Sequence, residues 1–308
     1  MGVLKGFGIA ILSLLLFLSL AIFGIALTLQ STVLNPDFVA SEVEKIDISA
    51  TVRELTEEEI TEELPEEVMF LKEAMYDFIA EEEPWIKEQA NTIIHSGYDF
   101  LLENSDGFDV VIPLEPVKED LREAMWEAFQ ENIPRELAGL PLALVKPYFD
   151  GYSQELVEVI PSELAFDESL ISSEVMAQIT EARDYIGYAR TAYYYGLIAF
   201  MVVLIAGIIL IKRNVRGATR GLGITFLVYG VLQLASVLAL KNLVAGVSIP
   251  SEIPLSLQPW LTGLFHDFTS PLQLFSIVIL VIGAVMLAFS FFYRRERVEK
   301  EVEVNNLP

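Results

Sequence analysis

Four apolar runs, each long enough to cross a hydrocarbon core as a helix of about 20 residues, constrain this chain more than any other feature. They read GFGIAILSLLLFLSLAIFGIALTL from Gly6, YYYGLIAFMVVLIAGIILI from Tyr193, GLGITFLVYGVLQLASVLAL from Gly221 and LQLFSIVILVIGAVMLAFSFFY from Leu272. None contains an ionised side chain, so none carries the penalty of a charge in lipid. The expected fold class is mainly α: a four-helix transmembrane bundle plus an acidic, mostly helical extracytoplasmic domain inserted between the first two runs, with at most a short strand segment. Spans are expected at residues 1–30, 193–213, 221–241 and 272–293. The first is read as a retained anchor, because its apolar run far exceeds the roughly 7–15 residues of a signal-peptide core.

Lys and Arg in the short flanks set the orientation, since cytoplasmic segments carry the excess. Lys5, the group Lys212, Arg213, Arg216 and Arg220, and the group Arg294, Arg295, Arg297 and Lys300 fall on one side of a four-span arrangement. Lys241 stands alone on the other. Both termini are therefore expected in the cytoplasm of a multi-pass cell-membrane protein. A basic loop at 214–220 and a tail at 294–308 share that side. The segments 31–192 and 242–271 lie outside.

Residues 31–192 hold 38 Asp and Glu against 10 Lys and Arg, a net of −28, more negative than the whole chain at −24. Such a field repels nucleic acid. It is compatible with a basic partner, with cations, or with a saline habitat and no partner. The chain has no cysteine, which excludes disulfides, thiolate metal sites and cysteine nucleophiles. An exported domain must then fold on its apolar core, and about 160 residues suffice for one.

The densest acidic stretch, RELTEEEITEELPEEV from Arg53, reads as a wet helix face rather than a disordered tail, because disorder needs low hydrophobicity as well as charge. Thr56 with Glu59 suggests a capping box, and Pro65 a second helix start. Ile60, Leu64, Val68, Leu71, Met75 and Phe78 recur at helical spacing and are the expected buried stripe. Upstream, Asn35 and Pro36 start a helix with Phe38, Val39, Val43 and Ile46 on one face. A further helix is expected from Pro84, then a short strand or connector at FDVVIPLEP, then a helix from about Pro116 to Asn132. Residues 133–161 carry no clear assignment. LKEAMYDFIAEEEP from Leu71 and LREAMWEAFQENIP from Leu121 align without gaps, either as a duplicated unit or as two convergent amphipathic helices. From about Ser173 the apolar period runs into the second span without a break, which predicts one long helix coupling the acidic domain to the bundle.

The pieces LNPDF at Leu34, PWIKEQ at Pro84 and IPLEPVK at Ile112 give the chain a resemblance to a family of uncharacterised prokaryotic four-span integral membrane proteins, with an extracytoplasmic helical domain between the first and second spans. The resemblance implies architecture and localisation, and no activity.

Chemistry has few places to sit. Two histidines far apart in sequence, His95 and His266, cannot make the four-ligand set of a zinc site by themselves. No P-loop, dinucleotide fingerprint, G-x-S-x-G or H-E-x-x-H occurs. ENSDGFD at Glu103 places Asn104, Asp106 and Asp109 around Gly107 as weak candidates for a divalent cation such as calcium. Leu102 and Pro113, however, stand where an EF-hand loop needs ligands, and a tight helix-to-strand turn explains the same residues. In the third span Thr225, Tyr229, Gln233 and Ser236 are the polar candidates, either for a transport path or for interhelical hydrogen bonds. Gly217, Gly221 and Thr225 suggest a small-residue packing face, with Gly283 and Ala284 in the fourth span. SLQPWLTGLFHDF puts Trp260, Leu264, Phe265 and Phe268 on one side of a short interfacial helix, as a lid or a partner site.

The expected function is non-enzymatic: a membrane-anchored interaction, scaffold or accessory protein. Expected partners are the lipid bilayer and another envelope protein or a second copy. No cofactor is expected. A transporter or channel component and a cation-sensing protein are the alternatives.

Overall fold

The computed structural model describes residues 2–63, 69–133, 137, 139–167, 172–188, 194–247, 249–250 and 253–305. It is mainly helical. In chain order the elements are α1 (Gly2–Ser31), α2 (Pro36–Glu44), α3 (Ile48–Glu63), α4 (Met69–Leu101), β1 (Asp109–Pro113), α5 (Glu115–Glu131), α6 (Leu142–Glu158), β2 (Glu163–Asp167), α7 (Ser173–Tyr188), α8 (Tyr194–Lys212), α9 (Val215–Ala245) and α10 (Gln258–Asn305). They divide into two compact units. One comprises residues 1–35, 184–248 and 262–308, the other residues 36–183 and 249–261.

Among the described residues four helical stretches are long and apolar enough to cross a membrane, Lys5–Ser31, Tyr195–Lys212, Val215–Ala245 and Leu255–Phe292, and from Thr262 onward the last belongs with the other three to the first unit. Its core is made by Leu16, Leu20, Leu204, Ile208, Leu222, Phe226, Tyr229 and Ile279. α9 and α10 approach backbone to backbone. A Cβ added at Gly230 would lie 2.6 Å from Leu280 Cβ, and one at Gly283 would lie 2.5 Å from the Leu227 nitrogen. The face that permits this is Gly223 and Gly230, not the expected Gly217 and Gly221, which lie instead along the Lys212 side chain. Gly283 is where a small residue was expected.

Two segments read as loops are helical. α9 begins at Val215 because the Asn214 side chain accepts the Gly217 N–H at 2.7 Å, a cap that starts the helix ahead of the basic residues. α10 begins at Gln258 and runs through Pro271 to Asn305, so the expected short interfacial helix and fourth span are one element. Just before the proline, Thr269 Oγ1 donates to the carbonyls of Phe265 and His266, each at 3.0 Å.

In the second unit α3 starts earlier than the capping-box pattern implied. Asp47 Oδ1 accepts the Ala50 N–H at 2.9 Å, while Thr56 sits mid-helix and donates back to the Val52 carbonyl at 2.8 Å. α4 runs through Pro84 rather than starting there. An interior proline costs about 3 kcal/mol, but Pro84 and Ala80, whose carbonyl loses its donor, are both exposed, so water replaces the missing N–H. Packing on both sides of the proline holds the helix: Tyr76 lies under Arg53 at 4.6 Å, and Phe100 under Arg183 at 4.9 Å. The buried positions before the proline are Lys72 and Tyr76, one residue away from the expected stripe, and Met75 is 41% exposed. Pro65 and the side chains of Ile60, Leu64, Val68 and Leu71 lie outside the described residues.

β1 forms the expected strand. Its partner β2, unread in the sequence, pairs antiparallel with Val110 opposite Phe166 and Ile112 opposite Leu164. Val110 and Ile112 are buried while Val111 is exposed, the alternation of a one-sided sheet. The proline-rich region contains α6, whose Phe149 joins Trp126 and Phe129 of α5 in a cluster with ring centroids 5.0–5.9 Å apart. The two similar fourteen-residue segments end differently: Pro84 is inside α4, whereas α5 stops at Glu131. The single helix expected across residues 173–212 depends on residues 189–193, which lie outside the described residues.

Candidate functional site

The densest set of sequence-distant polar contacts in the second unit gathers where residues 253–260 meet α2 and α3. Glu54 of α3 is a bidentate acceptor. Its Oε1 takes the Leu255 N–H at 2.6 Å, and its Oε2 takes the Ser256 N–H and hydroxyl, each at 3.0 Å. These amides belong to the short 3₁₀ turn Leu255–Leu257 that leads into α10, so the carboxylate caps the turn. The Leu255 amide first, then that of Ser256, hold the Glu54 carboxyl below the usual carboxylate range, because backbone donors stabilise the ionised form more than the neutral one. Thr51 and Ser256 hydroxyls lie 3.1 Å apart beside it. Trp260 Nε1 donates to the Glu42 backbone carbonyl of α2 at 2.8 Å.

α2 is fixed from its other side as well. His95 of α4 has Nδ1 3.0 Å from the Asn91 carbonyl and Nε2 3.1 Å from Asp37 Oδ1. Both ring nitrogens face acceptors, and only the imidazolium can donate to both. The Asn91 carbonyl and the Asp37 carboxylate accordingly raise the His95 pKa. The Glu42 side chain is buried. Its Oε1 meets Lys45 Nζ at 2.6 Å, and its Oε2 is the one buried side-chain polar atom without a hydrogen-bond partner among the described residues. Glu83 of α4 shows competing influences: burial pushes its carboxyl up, but Lys87 and the amides of Ser49 and Ile48 outweigh that and hold it low. Together these contacts make a clasp that holds the segment entering α10 against α2 and α3. They bind and orient a segment.

The residues singled out in the sequence distribute as follows. Asn104, Asp106 and Asp109 are exposed. Asn104 Nδ2 donates to Asp99 Oδ1 at 3.2 Å, the amides of Asn104 and Ser105 donate to the Asp99 carbonyl, and Arg183 donates to the Ser105 carbonyl at 3.0 Å. The left-handed residue of this turn is Glu103, at φ 62, not Gly107. Among the described residues no group of three or more His, Asp or Glu side chains is placed to hold a metal ion.

In the first unit, Tyr229 is buried at the centre of the bundle and donates to the Leu20 carbonyl of α1 at 3.0 Å. Thr225 and Ser236 donate to the Gly221 and Leu232 carbonyls of their own helix. Gln233 is half-buried and has no hydrogen bond among the described residues. Lys241 Nζ instead meets Gln273 Oε1 at 2.6 Å, joining α9 and α10 near their ends. Leu264, Phe265 and Phe268 are half-buried on α10. Trp260 groups with the second unit and Leu264, Phe265 and Phe268 with the first, so the expected apolar face is shared between two bodies.

Sequence reasoning missed Glu54, Ser256, Glu42 and Asp37. Glu54 and Ser256 are 202 positions apart, and in so acidic a segment one Glu has no local mark that separates it from its neighbours.

The helices define a class, chains with four helices able to cross a membrane. Compared with models of protein families, with curated proteins and with solved structures, the chain matches none.

Proposed function

We propose that this chain is a multi-pass cell-membrane protein with both termini in the cytoplasm, that its acidic helical unit lies outside between the first and second spans, and that it works without catalysis as an anchored interaction, scaffold or accessory protein. This is the arrangement of the four-span family it resembles. The observation that carries the reading is the clasp. Several long-range polar contacts of the acidic unit fix residues 255–260 to α2 and α3, which supports a folded surface held in one shape for a partner. The asymmetry of Lys and Arg supports the orientation. The polar groups of α9 support a packed bundle over a conduction path, because Thr225, Tyr229 and Ser236 are all engaged by backbone carbonyls.

Cross-linking in native membranes with carboxylate-reactive reagents tests the reading. Reproducible links from the acidic unit to one other envelope protein are the expected result. Links only between copies of this chain would replace it with self-assembly. Solute flux through reconstituted protein, abolished by Gln233→Leu, would replace it with transport.

A further inference from the structure

The most basic part of this acidic protein is the connection between α8 and α9, where Lys212, Arg213, Arg216 and Arg220 fall within nine residues. Residues 194–247 contain no Asp or Glu, and none of the four cations makes an ion pair among the described residues. The cluster is held rather than loose. The connection is only Arg213 and Asn214, with Arg213 in the left-handed region at φ 50. The Lys212 stem lies along a shelf made by Gly217 and Gly221: its Cδ is 3.3 Å from a Cβ added at the first, and its Nζ 3.7 Å from one added at the second. A side chain at Gly217 would crowd it, and one at Gly221 would only touch it. Arg216 and Arg220 follow one helical turn apart, and the Arg216 carbonyl accepts Ser290 Oγ of α10 at 3.3 Å, which ties the start of α9 to its neighbour.

Exposed apolar residues lie close to these cations in sequence, or beside the α10 residue bonded to Arg216. Leu210 is 73% exposed, Val215 60% and Phe291, next to Ser290, 63%. A free phosphate would use the cations alone, and an anionic phospholipid would use both, its phosphate among the cations and its acyl chains along the apolar residues.

We propose that the α8–α9 connection is a binding site for the headgroup phosphate of an anionic phospholipid, with Lys212, Arg216 and Arg220 as its phosphate ligands and Arg213 at its rim. The proposal rests on the membrane-spanning reading above. It goes beyond the charge asymmetry that sets orientation, because it assigns the cations a ligand and predicts a preference among lipids.

The test uses the full chain in a neutral detergent, titrated with phosphatidylglycerol or phosphatidylcholine and read by native mass spectrometry. Phosphatidylglycerol is expected to bind in preference. Each cation removed should weaken it about fivefold, so the Arg216→Gln/Arg220→Gln double variant should lose about 25-fold. The Arg216→Lys/Arg220→Lys variant, which keeps the charge and guards against misfolding, should retain most of the preference, and Lys241→Gln should retain all of it. Equal binding of the two lipids, an unaffected double variant, or displacement by millimolar inorganic phosphate would each overturn the proposal, the last by showing a plain phosphate site. Flotation with phosphatidylcholine vesicles separates the two levels. A chain that floats but shows no lipid preference loses only this site, whereas a chain that does not float loses the membrane reading and this site with it.

Discussion

The apolar bundle and the acidic unit are both helical, yet their close contacts are made by opposite kinds of residue. In the bundle the tightest approach is at glycine, where Gly223, Gly230 and Gly283 admit the backbone of the facing helix, and one tyrosine, Tyr229, carries the buried cross-helix hydrogen bond to Leu20. In the acidic unit the contacts are large and charged: Trp126, Phe129 and Phe149 cluster under Lys146, which lies 4.7 Å over Trp126, and carboxylates cap backbone amides. Helices in hydrocarbon gain little by burying apolar surface against each other, so close backbone packing and a few hydrogen bonds must hold them. A domain in water gains about 25 cal/mol per Å² of apolar surface buried, and large rings supply that surface. On the proposed membrane reading, the comparison teaches that one secondary structure is stabilised in two ways according to its solvent.

Substitutions can break each side of the contrast separately. The largest effect is expected from Phe149→Ala, which should destabilise the acidic unit by about 3–5 kcal/mol while leaving the bundle's detergent-resistant helicity intact; chemical denaturation followed by circular dichroism reads both. Gly230→Leu should do the converse. The added side chain overlaps Leu280 and should cost the bundle about 3 kcal/mol, seen as a lowered unfolding midpoint in detergent. Gly196→Leu, with nothing within 4 Å of the added Cβ, should cost little. A Gly230 variant as stable as Gly196→Leu would refute the close-approach account.

Tyr229→Phe sharpens the bundle side, since it removes only the hydroxyl bonded to Leu20 and should cost about 1 kcal/mol. The acidic unit should respond to pH through His95 and Glu54. His95 has a raised pKa, so its contribution is complete below about 6.5, its ordinary value, and is lost as pH rises through the raised one. His95→Gln should flatten that dependence by under about 1 kcal/mol, as befits a half-exposed pair. Glu54 runs in the opposite sense. Its lowered pKa gives a contribution present above about 4.5, the ordinary glutamate range, and lost as pH falls through the folded value. Its effect is local: protection of the Leu255 and Ser256 amides from hydrogen exchange, relative to their intrinsic rates, should fall on acidification, and Glu54→Gln should lower it at neutral pH without moving the bundle.

The four apolar runs were legible from composition alone, because a span of about 20 apolar residues is a property of contiguous sequence. So were α2, β1 and α5, whose prolines, β-branched run and helical period are all local signals. What the sequence could not decide was every feature that depends on a distant partner. Pro84 looked like a helix start, and Pro271 falls at the boundary expected between the interfacial helix and the fourth span, yet both lie inside helices. β2 has an unremarkable sequence and is a strand only because β1 lies beside it. The glycines that matter in α9 are Gly223 and Gly230, chosen by where α10 crosses, and Glu54 stands out from the other acids only through the amides of residues 255 and 256. Hydropathy and charge sum along the chain and are read without a fold. Register, helix crossing and capping are set by contacts between residues far apart in sequence, and only the tertiary structure decides those.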